Sequence, residues 1–312
     1  MAAPSHLKEN LVLYGALTAN VGIAVAKFVA AGITGSSSML TEGVHSLVDS
    51  GNQVLLLYGT ARSKKAPDRK HPFGYGRELY FWAFVVAMLI FSVGAGVSIY
   101  EGILHCRHPS KLEDPLVNYI VLAVAFGLEG TSWTLAVREL ARQGGTSSWW
   151  QLVKHSKDPS NFIVLFEDSA ALIGLVLAAI GVWASHWFGD PRIDGVASIL
   201  IGVVLVAVAL LLARESKGLI IGESTDPHVV QCLREAIDRP PEITAVNHVR
   251  TLHTAPEIVF VAVSADFADG LSMGEGEKLI EEIEVELRSI APNVGSIYIR
   301  PERREDAVVF DE

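Results

Sequence analysis

The sequence predicts an α-helical membrane protein: six transmembrane helices followed by a cytoplasmic α+β domain of ferredoxin-like, metallochaperone-like type. Three observations predict it. Half of the 312 residues are apolar, 19% are charged and the mean hydropathy is +0.35, too apolar for an ordinary soluble protein. Apolar runs of about 20 residues, the length that crosses a bilayer, recur along the first two thirds. The charge is also uneven: residues 1–213 carry 15 Lys/Arg and 15 Asp/Glu, whereas residues 214–312 carry 10 and 20, so the net charge of −10 lies in the last third. A six-helix transmembrane domain over 1–213 and an acidic domain over 214–312 are therefore expected. The missing basic surplus excludes a nucleic-acid-binding face, and the apolar content excludes a disordered chain.

The six runs are Leu11 to Ile33, Met39 to Ala61, Leu79 to Leu104, Leu116 to Val137, Phe162 to Trp187 and Gly195 to Ala213. The first is too long for a signal-peptide core and lacks a basic leader, so it is expected to be retained. The sixth is short, adequate if little tilted. Basic residues in the short loops set the orientation. Arg62, Lys64, Lys65, Arg69, Lys70 and Arg77 separate runs two and three, and Arg138, Arg142, Lys154 and Lys157 separate four and five. The other links are poorer in unopposed bases: none between one and two, Arg192 between five and six, and Arg107 and Lys111 offset by Glu113 and Asp114 between three and four. Both termini are expected in the cytoplasm, with Cys106 and Cys232 on opposite faces of the membrane and unable to pair.

From Asp226 the pattern changes. Asp226 then Pro227 reads as an N-cap and first helical residue, opening a helix to about Ile237. Strand-like runs follow at Ala245 to Thr254 and Glu257 to Phe267. Ile280, Ile283, Leu287 and Ile290 fall at helical spacing among glutamates, and Val294 to Ile299 supplies a third strand. Helix, strand, strand, helix, strand makes an open two-layer sandwich, joined to the spans through Gly222 to Thr225 and ending in a frayed tail from Arg303.

Charged side chains inside a span are costly and are retained mainly where they face a cavity or a partner. The candidates are Asn20 and Lys27 in run one, Glu42, His45, Asp49, Asn52 and Gln53 in run two, Glu129 in run four, and Glu167 and Asp168 in run five. His45 and Asp49 are four apart and so share one helix face. An imidazole nitrogen and a carboxylate oxygen on adjacent turns make half of a tetrahedral site for a small divalent cation. Asp168 is the natural partner from another helix; Glu167, about 100° round from it, either reaches the site or faces a neighbour. Ion pairing or the lining of a polar cavity is the competing reading for all of these acids, with Asn20 equally open. Lys27 reads as an ion-pair partner or snorkelling residue.

The stretch TGSSSMLTEGVHSLVDSGNQ (Thr34 to Gln53), the HPFGYGR segment (His71 to Arg77), the DSAALIG run in span five and the α+β domain together resemble the cation diffusion facilitator (CDF) family of six-span, homodimeric divalent-metal/proton antiporters. Within it the chain resembles the divergent subgroup typified by zinc transporter nine, through the Glu167-Asp168 pair and the segment TLHTAPE (Thr251 to Glu257). The resemblance implies a transport site at His45, Asp49 and Asp168, with Val164 at the fourth family position, where a ligand is missing. A second family site, in the loop, would use Asp68 and His71, with Tyr75 where another ligand is common. The family's cytoplasmic histidines are mostly absent; His248 and His253 remain, but an offset of five on a strand sends them to opposite faces.

The expected function is Zn²⁺ efflux by proton antiport, without an enzymatic step and without a cofactor, the metal being the transported substrate. Imidazole has an ordinary pKa of about 6.5 and can lose its proton to bind metal and regain it on release. The expected partners are divalent metal ions, protons, the lipid bilayer and a second copy of the chain, in a bacterial inner membrane. An oxygen-rich site closed by Glu167, water or Asn20 would suit Mn²⁺, Fe²⁺ or Co²⁺, and the missing ligand also fits a transport-inactive regulatory subunit. An intramembrane metal hydrolase ranks last, since no His-Glu-x-x-His motif is present.

Overall fold

The apolar runs fold as long helices in the computed structural model, which describes residues 5–109, 115–144 and 159–307. They are α1 (Ser5–Thr34), α2 (Ser37–Ser63), α3 (Glu78–Arg107), α4 (Pro115–Gly144), α5 (Pro159–Phe188) and α6 (Arg192–Ile221). Four of them, α3 to α6, are long and apolar enough to cross a membrane. The sequence count of six is thus carried in part. In α1 the described apolar stretch is Asn20–Thr34, and α2 is diluted by Glu42, His45, Asp49, Asn52 and Gln53, the residues that make it interesting. Lys111, Glu113, Asp114, Lys154 and Lys157, used above for orientation, lie outside the described residues, as does the tail from Val308.

The chain divides into two compact units, one formed by residues up to Ala61 with Leu79–Lys217, the other by Arg62–Glu78 with Gly218–Glu312. In the first, the turn from α1 into α2 is fixed by a carboxylate. Asp194, fully buried in the first turn of α6, accepts hydrogen bonds from the backbone N–H groups of Ser37 (2.6 Å) and Ser38 (3.1 Å) and from the Ser36 and Ser38 hydroxyls. It thereby satisfies the orphan donors at the start of α2 and complements that helix dipole. Helices α3 and α6 meet backbone to backbone: a Cβ at Gly102 would stand 2.6 Å from the Gly195 carbonyl oxygen and 2.9 Å from the Ile199 nitrogen. Small residues are what permit such an approach between membrane helices. Midway, α3 contains a π-helical turn at Ile90–Ala95, which the apolar run gave no hint of. Helix α6 runs eight residues past Ala213, the limit its apolar run suggested, and stops where Gly222 takes φ +117°, a conformation open mainly to glycine.

In the second unit Asp226 accepts from the His228 N–H and opens α7 (Pro227–Ile237) as its sequence implies. The strands β1 (Ile243–Ala255) and β2 (Ile258–Phe267) pair antiparallel, and β3 (Val294–Pro301) lies parallel to β2 after α8 (Met273–Ile290). Both helices cover one sheet face, around Leu233, Ile237, Val261, Val263, Ile283 and Leu287. The other face is met by the loop from α2 to α3, whose Phe73 ring sits edge-on to Phe260 at 5.5 Å, with Tyr298 beyond.

Candidate functional site

Two helical turns of α2 supply the polar core of the first unit. His45 is 1% exposed, its Nδ1 is 3.3 Å from Oδ1 of Asp49, and neither ring nitrogen has a hydrogen-bond partner among the described residues. Unpartnered nitrogens at such depth are costly unless a cation or proton uses them. Asp49 opens into a cleft of about 230 Å³. Its walls carry Glu129 and Ser132 of α4 and Val164, Glu167 and Asp168 of α5, with Asn20 and Gln53.

The structure therefore brings Asp49, Glu167 and Asp168 to one cleft, with His45 a turn away. It does not close them into a cage: among the described residues no three His, Cys, Asp or Glu side chains converge at metal-binding distance. The two α5 acids have different neighbours. Glu167 accepts from Asn52 Nδ2 at 2.8 Å and lies against Asp49, whereas Asp168 accepts from the Ser132 hydroxyl at 2.8 Å on α4. Val164 puts an apolar side chain, 37% exposed, on the cleft wall. Lys27 stands outside the cleft, wholly buried, its ammonium 2.9 Å from Glu42 and 2.7 Å from the Ser46 hydroxyl. That is the ion-pair role its sequence position suggests.

In the loop, Asp68 and His71 are neighbours, Oδ1 to Nδ1 3.6 Å. Asp68 is nonetheless heavily engaged. Its Oδ1 accepts from the Lys70 and His71 amides, both at 2.9 Å, and its Oδ2 accepts from the Tyr75 hydroxyl at 2.7 Å. The Tyr75 hydroxyl foremost, then the His71 amide, holds the Asp68 carboxyl well below the usual carboxylate range. Tyr75 thus occupies the carboxylate as a donor. In the sheet, His248 pairs across from Ser264 and His253 from Val259, so the two histidines do face opposite ways. Burial, and then the charge of Arg250, push His248 below the ordinary histidine value.

Sequence reasoning did not single out Asp194 or Ser132. Asp194 had a signal, an acid one residue before an apolar run; Ser132 had none, since a serine in a span is commonplace.

Residues 13–221 match the family model described as the cation efflux transmembrane domain. The proton-coupled zinc antiporter SLC30A9, mitochondrial, of Xenopus laevis is 35% identical over 236 residues, 75% of this chain and 42% of that protein. Its counterpart from Homo sapiens is 33% identical over 267 residues, 83% of this chain and 47% of that protein. The chain thus spans less than half the length of these relatives. The manganese efflux system protein MneP of Bacillus subtilis (strain 168) is 22% identical over 305 residues, 96% of this chain and 97% of that protein.

Proposed function

The chain belongs to the cation efflux family, and on that premise we propose that it exchanges a divalent cation, zinc foremost, for protons across a bilayer. The observation that carries this reading is the cleft of the first unit. Four carboxyl side chains, Asp49, Glu129, Glu167 and Asp168, line about 230 Å³, and His45 lies one turn behind them. Ionisable groups inside membrane helices mark ion pathways.

In this reading His45 and Asp49 of α2 and Glu167 and Asp168 of α5 are the donors that capture the metal, and displaced protons leave through the same cleft. The imidazole gives nitrogen and the acids give charge that offsets the dehydration of the cation. Both α1 and α2 count as spans, because the polar side chains of α2 are turned inward: Glu42, His45 and Asn52 are each at most 1% exposed. An even number of spans puts both termini on one side, and the six bases of the α2–α3 loop make that side the cytoplasmic one in this reading; a homodimer, and in a bacterium the inner membrane, belong to the same proposal. The loop pair Asp68 and His71 is at most an accessory site. The chain acts as a transporter and not as an enzyme.

Manganese is the second reading, favoured by the preponderance of oxygen over nitrogen in the cleft and by the name of the relative that matches end to end. Reconstituted protein under an imposed pH gradient decides. Zinc flux that depends on the gradient and collapses in Asp49→Ala supports the proposal. Gradient-dependent manganese flux without zinc flux selects the second reading. No flux of any divalent metal by folded protein overturns both.

A further inference from the structure

A cavity of about 480 Å³ lies within the second unit and shares no lining residue with the transport cleft. Its walls are the loop residues Lys70, His71, Pro72, Phe73, Gly74 and Arg77 against Leu252, Thr254 and Phe260 of the outer sheet face. The lining is largely apolar, and two of its residues are cations. Among the described residues, neither the Lys70 ammonium nor the Arg77 guanidinium makes an ion pair or side-chain hydrogen bond, although most other cations of this unit do so: Arg62 holds Glu78, Lys65 holds Asp68 and Tyr75, Arg239 holds Glu286. In a chain of net charge −10, residues 62–77 hold six bases against the single acid Asp68. Phe73, at the cavity mouth, is 57% exposed.

The place of this cavity in the chain limits what can fill it. Arg77 directly precedes Glu78, the first residue of a helix long and apolar enough to span a membrane, so by connectivity the loop enters the bilayer just after Arg77, with Lys70 seven residues earlier. An exposed aromatic among bases at that level is the composition that seats in the headgroup layer, with bases worth about 1 kcal/mol each near anionic lipid. A ligand that fits must carry a negative head for Lys70 and Arg77 and an apolar body for Phe73, Phe260 and Leu252.

We infer that this cavity binds the phosphate headgroup of an anionic phospholipid from the surrounding leaflet. Lys70 and Arg77 hold the phosphate, and the glycerol and first methylenes lie on Phe73 and Phe260. The inference needs only that the chain is an integral membrane protein, and its test contains no transported metal, so it stands or falls apart from the antiport reading.

Native mass spectrometry of the full chain, released from neutral detergent with equal concentrations of phosphatidylglycerol and phosphatidylcholine, gives the test. Phosphatidylglycerol should be retained at least tenfold over phosphatidylcholine. Lys70→Gln with Arg77→Gln should abolish that preference, while Lys64→Gln with Arg69→Gln, the same charge loss on the same loop but off the cavity, should leave it within twofold. Lys70→Gln alone, at an exposed position with no side-chain partner among the described residues, should reduce it several-fold and guards against a misfolded double variant. Equal loss in the matched control, or equal retention of both lipids, would overturn the inference. So would displacement of the lipid by millimolar inorganic phosphate, which would make this a site for soluble phosphate.

Discussion

The Nδ1 of His45 lies 3.3 Å from Oδ1 of Asp49, one turn on along α2, with the two side chains 1% and 13% exposed. Under the proposed assignment, half of the donor set thus stands on one helix before any cation arrives. Preorganisation of that kind lowers the cost of capture.

Replacing His45 or Asp49 by Ala should therefore reduce zinc flux in proteoliposomes on the order of 100-fold, the upper range for losing even groups that only support a metal ligand. Removing an intramembrane polar group should leave thermal stability unchanged or raised. Parent-rate flux from either folded variant would show that the site lies elsewhere.

The α5 acids can be ranked. Glu167 lies against Asp49 and Asp168 against Ser132, so Glu167→Gln is expected to weaken metal binding by at least about tenfold, and Asp168→Asn by less. Val164→His adds a nitrogen donor to the same wall and should shift preference toward Zn²⁺ over Mn²⁺. Calorimetric titration of the three purified variants checks the order; a larger loss with Asp168→Asn would restore the ranking that family register implies.

Lys27 and Glu42 form a wholly buried pair at 2.9 Å. Lys27→Met or Glu42→Leu alone leaves a buried charge without its counter-ion and should cost about 3–5 kcal/mol, whereas the double replacement should be roughly neutral. Denaturant midpoints of the three variants measure this, and additive losses would mean that the two residues do not act as a pair.

In the second unit, the capping box of α8 gives a pH dependence with a defined sign. The Ser272 hydroxyl, then its amide, holds the Glu275 carboxyl below its ordinary value of 4.5. A folded-state pKa that is depressed contributes stability above the unfolded value, lost as pH falls through the folded one. Ser272→Ala should therefore lower the unfolding temperature of this unit at pH 7 and flatten its decline below about pH 4.5. An unchanged acid limb in Ser272→Ala would assign that limb to other carboxyls.

Much of this was legible from residues alone. Length and apolarity located the helices, and Asp226 with Pro227 marked the start of α7 to the residue. The Glu167/Asp168 choice was not legible, because a single position turns a side chain by about 100° and only the packing of α5 against α2 and α4 decides which acid meets Asp49. The role of Asp194 was hidden for a similar reason. Its partners, Ser36 to Ser38, are over 150 residues away in sequence, and no periodicity reports a contact of that span. The π turn of α3 is a backbone event inside a run whose side chains read as plain helix.

Because the loop Arg62–Glu78 belongs to the second unit, that unit is not a bead on one string. The chain enters it twice, after Ala61 and after Lys217, and leaves it once, before Leu79, so α2, α3 and α6 each join it by a covalent lead. Those three leads are a matter of connectivity alone. They also change what a truncation means: cutting the chain at Lys217 would strip the loop of the sheet beneath Phe73, and the C-terminal segment made by itself would carry Phe260 and Leu252 bare into water.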